Sequence, residues 1–222
     1  MSIAVELPAG PVQVSAVWEH PAADSRGVVP IAHSAGTRLD HPFLIGFAGA
    51  LRAEGFTTLR FNFPYAEAGR RMPGPAAHAV LTWRAVVDRI RAQAPDASVF
   101  ACGKSYGGRM ASMAAAEGLQ VDGLVYLGYP LHPPGRPDKP RAAHLPGVRP
   151  PQLFVEGTND PFVQPPTQLE EAVRTCQDAA ISWFEGGGHS FEVKGRKHAA
   201  DEVGASVAPV VAEFLGRVLN AG

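Results

Sequence analysis

The sequence predicts an α/β protein: a mostly parallel sheet of about seven strands with helices on both faces. Three observations carry this. Short β-branched or apolar runs alternate with longer stretches of helical spacing along the whole chain. Glycine or proline punctuates most junctions between them. A length of 222 residues, with 45% hydrophobic and 18% charged side chains, suits one compact domain spanning residues 1–222.

Residues 12–18 place Val12, Val14, Ala16 and Trp18 on one face of a first strand. Val28–Ala32 reads as a second, although Pro30 is out of place in a central strand. Asp40 is the expected N-cap of a helix with Pro42 in its first turn, running to Glu54 and stopped by Gly55. Thr57–Phe61 is a β-branched strand. Residues 75–94 carry Val80, Trp83, Val86, Val87 and Ile90 at helical spacing, with Pro95 as breaker.

The alternation continues with a strand over 98–102, a helix over 105–117, Gly118, and a strand over 121–127. Residues 129–149 form a loop rich in Pro, Gly and His, too short and proline-rich for a helical cap domain. A strand over 152–155, a short helix over 167–173 and a strand over 180–184 follow, then a turn at Gly186-Gly187-Gly188. The closing helix, residues 201–219, has Val203, Val207, Val211, Phe214, Leu215 and Val218 on one stripe. Pro209 is expected to kink it or to begin a fresh first turn.

Composition excludes several function classes. Twenty Lys+Arg against 21 Asp+Glu leave a net charge of −1, so no dedicated surface for nucleic acid or an anionic membrane is expected. The basic runs Gly69-Arg70-Arg71 and Lys194-Gly195-Arg196-Lys197 read as solvated loops. Two cysteines make no disulfide framework, and Cys102 reads as a small buried hydrophobe. No Cys/His cluster has zinc spacing and no G-x-G-x-x-G follows the early strands, so neither metal nor dinucleotide cofactor is expected. The N-terminus lacks a basic, then apolar, leader, and no window reaches the length of a membrane span; a cytoplasmic protein is expected.

In a parallel sheet, ligands bind beyond the carboxyl ends of the strands, so the loops after each strand are where chemistry belongs. After the strand over 98–102 comes Gly103-Lys104-Ser105-Tyr106-Gly107-Gly108, leading straight into a helix. This is G-x-S-x-G between strand and helix, the setting that strains a serine and presents its Oγ at a helix N-terminus. With 24 glycines and ten serines in the chain, about 0.1 chance matches are expected, so the strand–helix context carries the weight.

A serine hydroxyl needs a base, and the base an orienting acid. In this topology they come from later strand ends, in the order Ser, acid, His. Asp160 lies just past the strand over 152–155, and His189 just past that over 180–184. Asp160 has an ordinary Asp-Pro turn as its competing explanation, and His189 a glycine-rich turn. His20, His132, His144 and His198 lie in less suitable places.

The developing oxyanion needs two backbone N–H donors. Tyr106, after the nucleophile, supplies one. The other is expected from the loop Ala32-His33-Ser34-Ala35-Gly36, from Ala35 first and Ser34 second. His33 is expected to brace that loop by a hydrogen bond rather than to act as base.

Together, Gly103-Lys104-Ser105-Tyr106-Gly107-Gly108-Arg109, His33-Ser34-Ala35-Gly36, Asp40-His41-Pro42-Phe43, Asp160 and Gly188-His189-Ser190-Phe191 resemble the α/β-hydrolases. Among these the chain is most similar to the small, lidless, dienelactone-hydrolase-like bacterial members, from about residue 28 to residue 219. The resemblance implies Ser105 as nucleophile, Asp160 as acid and His189 as base. Two departures stand out. Dienelactone hydrolases proper carry cysteine at the position of Ser105, so that activity is not implied. Ser34 stands where the oxyanion loop commonly has glycine.

These residues lead to the expectation of a serine hydrolase acting on a small-molecule acyl ester through an acyl-enzyme. A thioesterase, acyltransferase or small peptidase would use the same triad, and a silent binding protein the same fold. Tyr65, Tyr129 and His132 are the expected substrate-binding residues at the pocket rim. Arg70, Arg71 and Arg136 are candidates for holding an anionic substrate end.

Overall fold

The computed structural model describes residues 1–221. Eight strands form one sheet: β1 (Ser2–Leu7), β2 (Gly10–Glu19), β3 (Val28–Ala32), β4 (Thr57–Phe61), β5 (Phe100–Lys104), β6 (Gly123–Leu127), β7 (Gln152–Gly157) and β8 (Ala179–Phe184). Their order across the sheet is β1-β2-β4-β3-β5-β6-β7-β8. β1 and β2 make an antiparallel hairpin, β2 pairs antiparallel with β4, and every pairing from β4 to β8 is parallel.

β1 exceeds the expected strand count. Its residues alternate, Ile3 and Val5 buried against solvent-facing Ser2, Ala4 and Glu6, the pattern of a half-buried edge strand. The five inner strands β3 to β7 are buried along their whole length, because helices cover both faces. Pro30 does occupy a central strand. Pairing with β4 runs continuously through it, Pro30 opposite Leu59. On the β5 side, the ladder has a bridge at Val28–Val99 and resumes at Ile31–Cys102. The missing N–H therefore falls in a gap of the ladder, where proline costs least.

The helices are α1 (Pro42–Ala53), α2 (Pro64–Glu67), α3 (Ala76–Gln93), α4 (Tyr106–Ala116), α5 (Pro166–Arg174) and α6 (Ala200–Ala221). α1 is capped by His41, whose Nδ1 accepts the Phe43 N–H at 3.3 Å, and not by Asp40, which is exposed. α6 is continuous through Pro209; the proline faces solvent, where water can satisfy the carbonyl it leaves free one turn earlier. Between β6 and β7 there is a 3-10 turn at Leu145–Gly147 and no α-helix.

Two apolar cores flank the sheet. One, built around Trp83, Met110, Tyr126 and Phe154, packs α3 and α4 against the sheet. The other, around Phe43, Phe47, Val207, Val211 and Leu215, packs α1 and α6 on the opposite face. α1 and α6 cross at two glycines. A Cβ on Gly46 would lie 1.9 Å from the Asp201 carbonyl oxygen, and one on Gly204 would lie 2.0 Å from that of Phe43. No helix among the described residues is long and apolar enough to cross a membrane.

Candidate active site

The strand ends of β5, β7 and β8 bring Ser105, Asp160 and His189 together. Ser105 sits between β5 and α4 at φ 50°, ψ −113°, a left-handed conformation strained for any residue with a side chain. The tight turn explains its glycines. A Cβ on Gly103 would stand 2.2 Å from the Gly108 nitrogen, and one on Gly107 would stand 2.7 Å from the Ala32 Cβ. Only bare backbone lets α4 start this close to β5 and β3.

Ser105 Oγ lies 2.8 Å from His189 Nε2, and His189 Nδ1 lies 2.6 Å from Asp160 Oδ2. Asp160 is fully buried, and its Oδ1 accepts the Phe162 N–H at 2.8 Å. A carboxylate so placed accepts a hydrogen bond from Nδ1–H, which keeps the proton on Nδ1 and leaves Nε2 as acceptor for the serine hydroxyl. Burial lowers the His189 pKa below 6.5, against the opposing pull of the Asp160 bond. The imidazole is thus neutral near pH 7. The Phe162 ring lies 4.2 Å from the imidazole, centroid to centroid, and restricts its tilt.

A cavity of about 370 Å³ opens over the triad, lined among others by Ser34, Ala35, Ser105, Tyr106 and His189. The amides of Tyr106 and Ala35 have no acceptor among the described residues. Tyr106 is the first residue of α4, where N–H groups are free by construction and the helix dipole favours negative charge. The Ser34 carbonyl is occupied: it accepts from His33 Nδ1 at 2.8 Å, Thr37 Oγ1 at 3.1 Å and the Tyr65 hydroxyl at 3.4 Å. His33 Nε2 accepts the Phe63 N–H at 3.1 Å. With both ring nitrogens engaged and burial holding its pKa down at about 4, His33 braces the loop as a neutral imidazole.

The rim residues fall differently. Tyr129 and His132 are fully buried and do not line the cavity. Tyr129 packs between Tyr126 and Phe154 at 5.4 Å from each ring, and His132 Nδ1 turns to the Pro133 carbonyl at 2.8 Å. The sequence places both at the pocket rim, but the apolar core under the loop takes Tyr129 and His132 is buried within the loop; Pro130 faces the cavity instead. Tyr65 lines an adjoining apolar cavity of about 250 Å³ with Phe63, Pro64 and Tyr106, separate from the triad cavity. Arg136 pairs with Asp138 at 2.9 Å and is exposed, and Arg70 borders the Tyr65 cavity.

Sequence reasoning missed three residues at the site. Lys104, buried beside Ser105, donates from Nζ to the His189 carbonyl at 2.5 Å and lies 5.5 Å over the Phe191 ring. Burial pushes its pKa down to about 8. Arg109 and Arg141 both line the triad cavity. Arg109 was legible as the helical residue one turn after Ser105; Arg141, in an irregular loop, had no local signal.

The family profile described as Alpha/beta hydrolase domain matches residues 25–216. The chain belongs to the α/β-hydrolase family. Among solved structures, it superposes on a dienelactone hydrolase from Anabaena variabilis with TM-score 0.76 and 22% identity, covering 98% of this chain and 96% of that one. A lidless α/β serine hydrolase from Xanthomonas campestris gives TM-score 0.69 and 21% identity, covering 100% and 94%. Est1E from Butyrivibrio proteoclasticus, solved with ferulic acid bound, gives 0.74 and 16%, covering 96% and 99%. At these identities the likeness is one of fold, and the α/β-hydrolase sheet is what the four chains share.

Proposed function

We propose that this α/β-hydrolase is a serine esterase that cleaves small acyl esters through an acyl-enzyme. The observation that carries the proposal is the hydrogen-bonded chain Ser105–His189–Asp160, 2.8 and 2.6 Å long, at the floor of an open cavity. Neutral His189 takes the Ser105 proton as Oγ attacks the acyl carbonyl, and Asp160 stabilises the imidazolium that forms. The Tyr106 and Ala35 amides receive the oxyanion. His189 then protonates the leaving alcohol, and a water, deprotonated by the same imidazole, releases the acid. The lidless serine hydrolase of the same fold is consistent with this reading.

The test is intact-mass labelling with a fluorophosphonate. One adduct is expected on the wild type, none on Ser105→Ala, and much slower labelling on His189→Ala. An unlabelled wild type at neutral pH would overturn the proposal and leave a binding protein built on a hydrolase fold. Turnover of 4-nitrophenyl esters, against thioesters and aminoacyl amides, then separates an esterase from a thioesterase or peptidase on the same triad.

A further inference from the structure

The triad cavity carries a charge pattern that ester hydrolysis by itself does not require. Arg109 and Arg141 both line it, and among the described residues no aspartate or glutamate does. Neither guanidinium takes part in an ion pair or a side-chain hydrogen bond among the described residues. Arg109 Nε is buried without a partner. Burying a guanidinium N–H unpaired costs free energy, and placing two cations beside one another adds repulsion. Arg141 registers both: burial and the Arg109 charge lower its pKa from the ordinary arginine value. The same Arg109 charge adds to burial in holding the neighbouring His144 down at about 4.

The backbones of both arginines are held by hydrogen bonds. Arg109 lies one helical turn beyond the nucleophile, its N–H bonded to the Ser105 carbonyl at 3.1 Å. Arg141 is fixed at both ends of its backbone unit. Its N–H bonds the Leu131 carbonyl at 2.6 Å, and its carbonyl accepts the hydroxyl of fully buried Tyr129 at 2.9 Å. Two uncompensated guanidinium groups lining one cavity supply the charge and the paired N–H donors that a carboxylate takes.

We propose that Arg109 and Arg141 form an anion subsite selecting esters that carry a carboxylate close to the scissile carbonyl. The inference rests on the esterase reading for its chemistry, but the subsite is defined by binding and can be measured without turnover.

Two ester pairs test it. 4-Nitrophenyl hemiglutarate against 4-nitrophenyl pentanoate puts the charge on the acyl side. 4-Acetoxybenzoate against its methyl ester puts it on the leaving side. In the wild type, kcat/KM for the charged member of at least one pair should exceed its neutral partner's by about 10- to 100-fold, the range of a charge-assisted fork. Which pair responds says where the anion sits. The preference should shrink about tenfold or more in Arg109→Gln and in Arg141→Gln, and Arg109→Lys should fall between, keeping charge but losing the fork. Should Arg109→Gln fail to fold, Arg141→Gln, on a loop, carries the test.

A wild type without preference in either pair, or a preference unchanged in both arginine variants, overturns the subsite. Calorimetric binding of glutarate to Ser105→Ala separates this from the esterase reading. Arginine-dependent glutarate binding with no turnover of any ester would retain the subsite and reject the esterase. Fluorophosphonate labelling and turnover of neutral esters, with no glutarate binding, would reject the subsite alone.

Discussion

Ser105 is held at positive φ by a turn in which neighbouring backbone leaves no room for side chains at Gly103 and Gly107. Its partners have separate tasks. Asp160 fixes the His189 tautomer, so Asp160→Asn, which can donate into Nδ1 and reverse it, should lower kcat/KM by about 10³- to 10⁴-fold. Steady-state kinetics beside fluorophosphonate labelling would show both reduced together. Because burial depresses the His189 pKa, the neutral base persists below pH 6.5. The acid limb of kcat/KM should therefore fall below pH 6.5, with activity rising as pH climbs through it. A pH–rate profile with its limb at 7 or above would contradict this. Ser105, Asp160 and His189 could be singled out in the sequence because each sits a few residues past a strand. Tyr129 and His132 could not be placed that way: which side of a loop faces the core is a matter of what lies beneath it.

At the scale of elements, the α1–α6 crossing depends on two glycines whose backbones touch the partner helix. Helix axes this close leave no volume for a methyl group. Gly204→Ala should cost about 1–3 kcal/mol through overpacking, despite alanine's better helix propensity. Urea unfolding monitored by circular dichroism would measure it; a stabilised variant would mean the helices separate freely. The helical stripes were legible from periodicity alone, and most boundaries came from Gly and Pro. Two elements went otherwise. β1 had its alternation, Ile3, Val5, Leu7, but no strand is stable by itself, and only pairing with β2 makes it one. Pro30 argued against a central strand, because a ladder gap on one side of a strand is a property of the neighbour.

For the whole molecule, acid is the informative variable. Buried His33 and half-buried His144 have pKa values near 4, against 6.5 in an unfolded chain, and His189 is shifted the same way. Between pH 6.5 and 4 the unfolded chain binds protons that the folded one refuses, so stability must fall as pH drops through that window. The slope approaches about 1.4 kcal/mol per pH unit for each histidine that stays neutral. Tm measured from pH 7 to 4 should decline, and His144→Gln should flatten the decline. A constant Tm would mean these imidazoles are open to protons.

The sequence by itself determined the alternation of strands and helices, the strained turn around Ser105, and the positions of Asp160 and His189 past their strands. These depend on local period, local sterics and chain order, all contained in short windows. Tertiary structure decided which side chains meet in the cavity. Lys104 reaches the His189 carbonyl across 85 residues of chain, and Tyr129 turns inward to hold Arg141 at the cavity wall. Such contacts join segments that are neighbours only after the sheet has closed around its two cores, because burial of an apolar ring outweighs whatever side its loop would otherwise present.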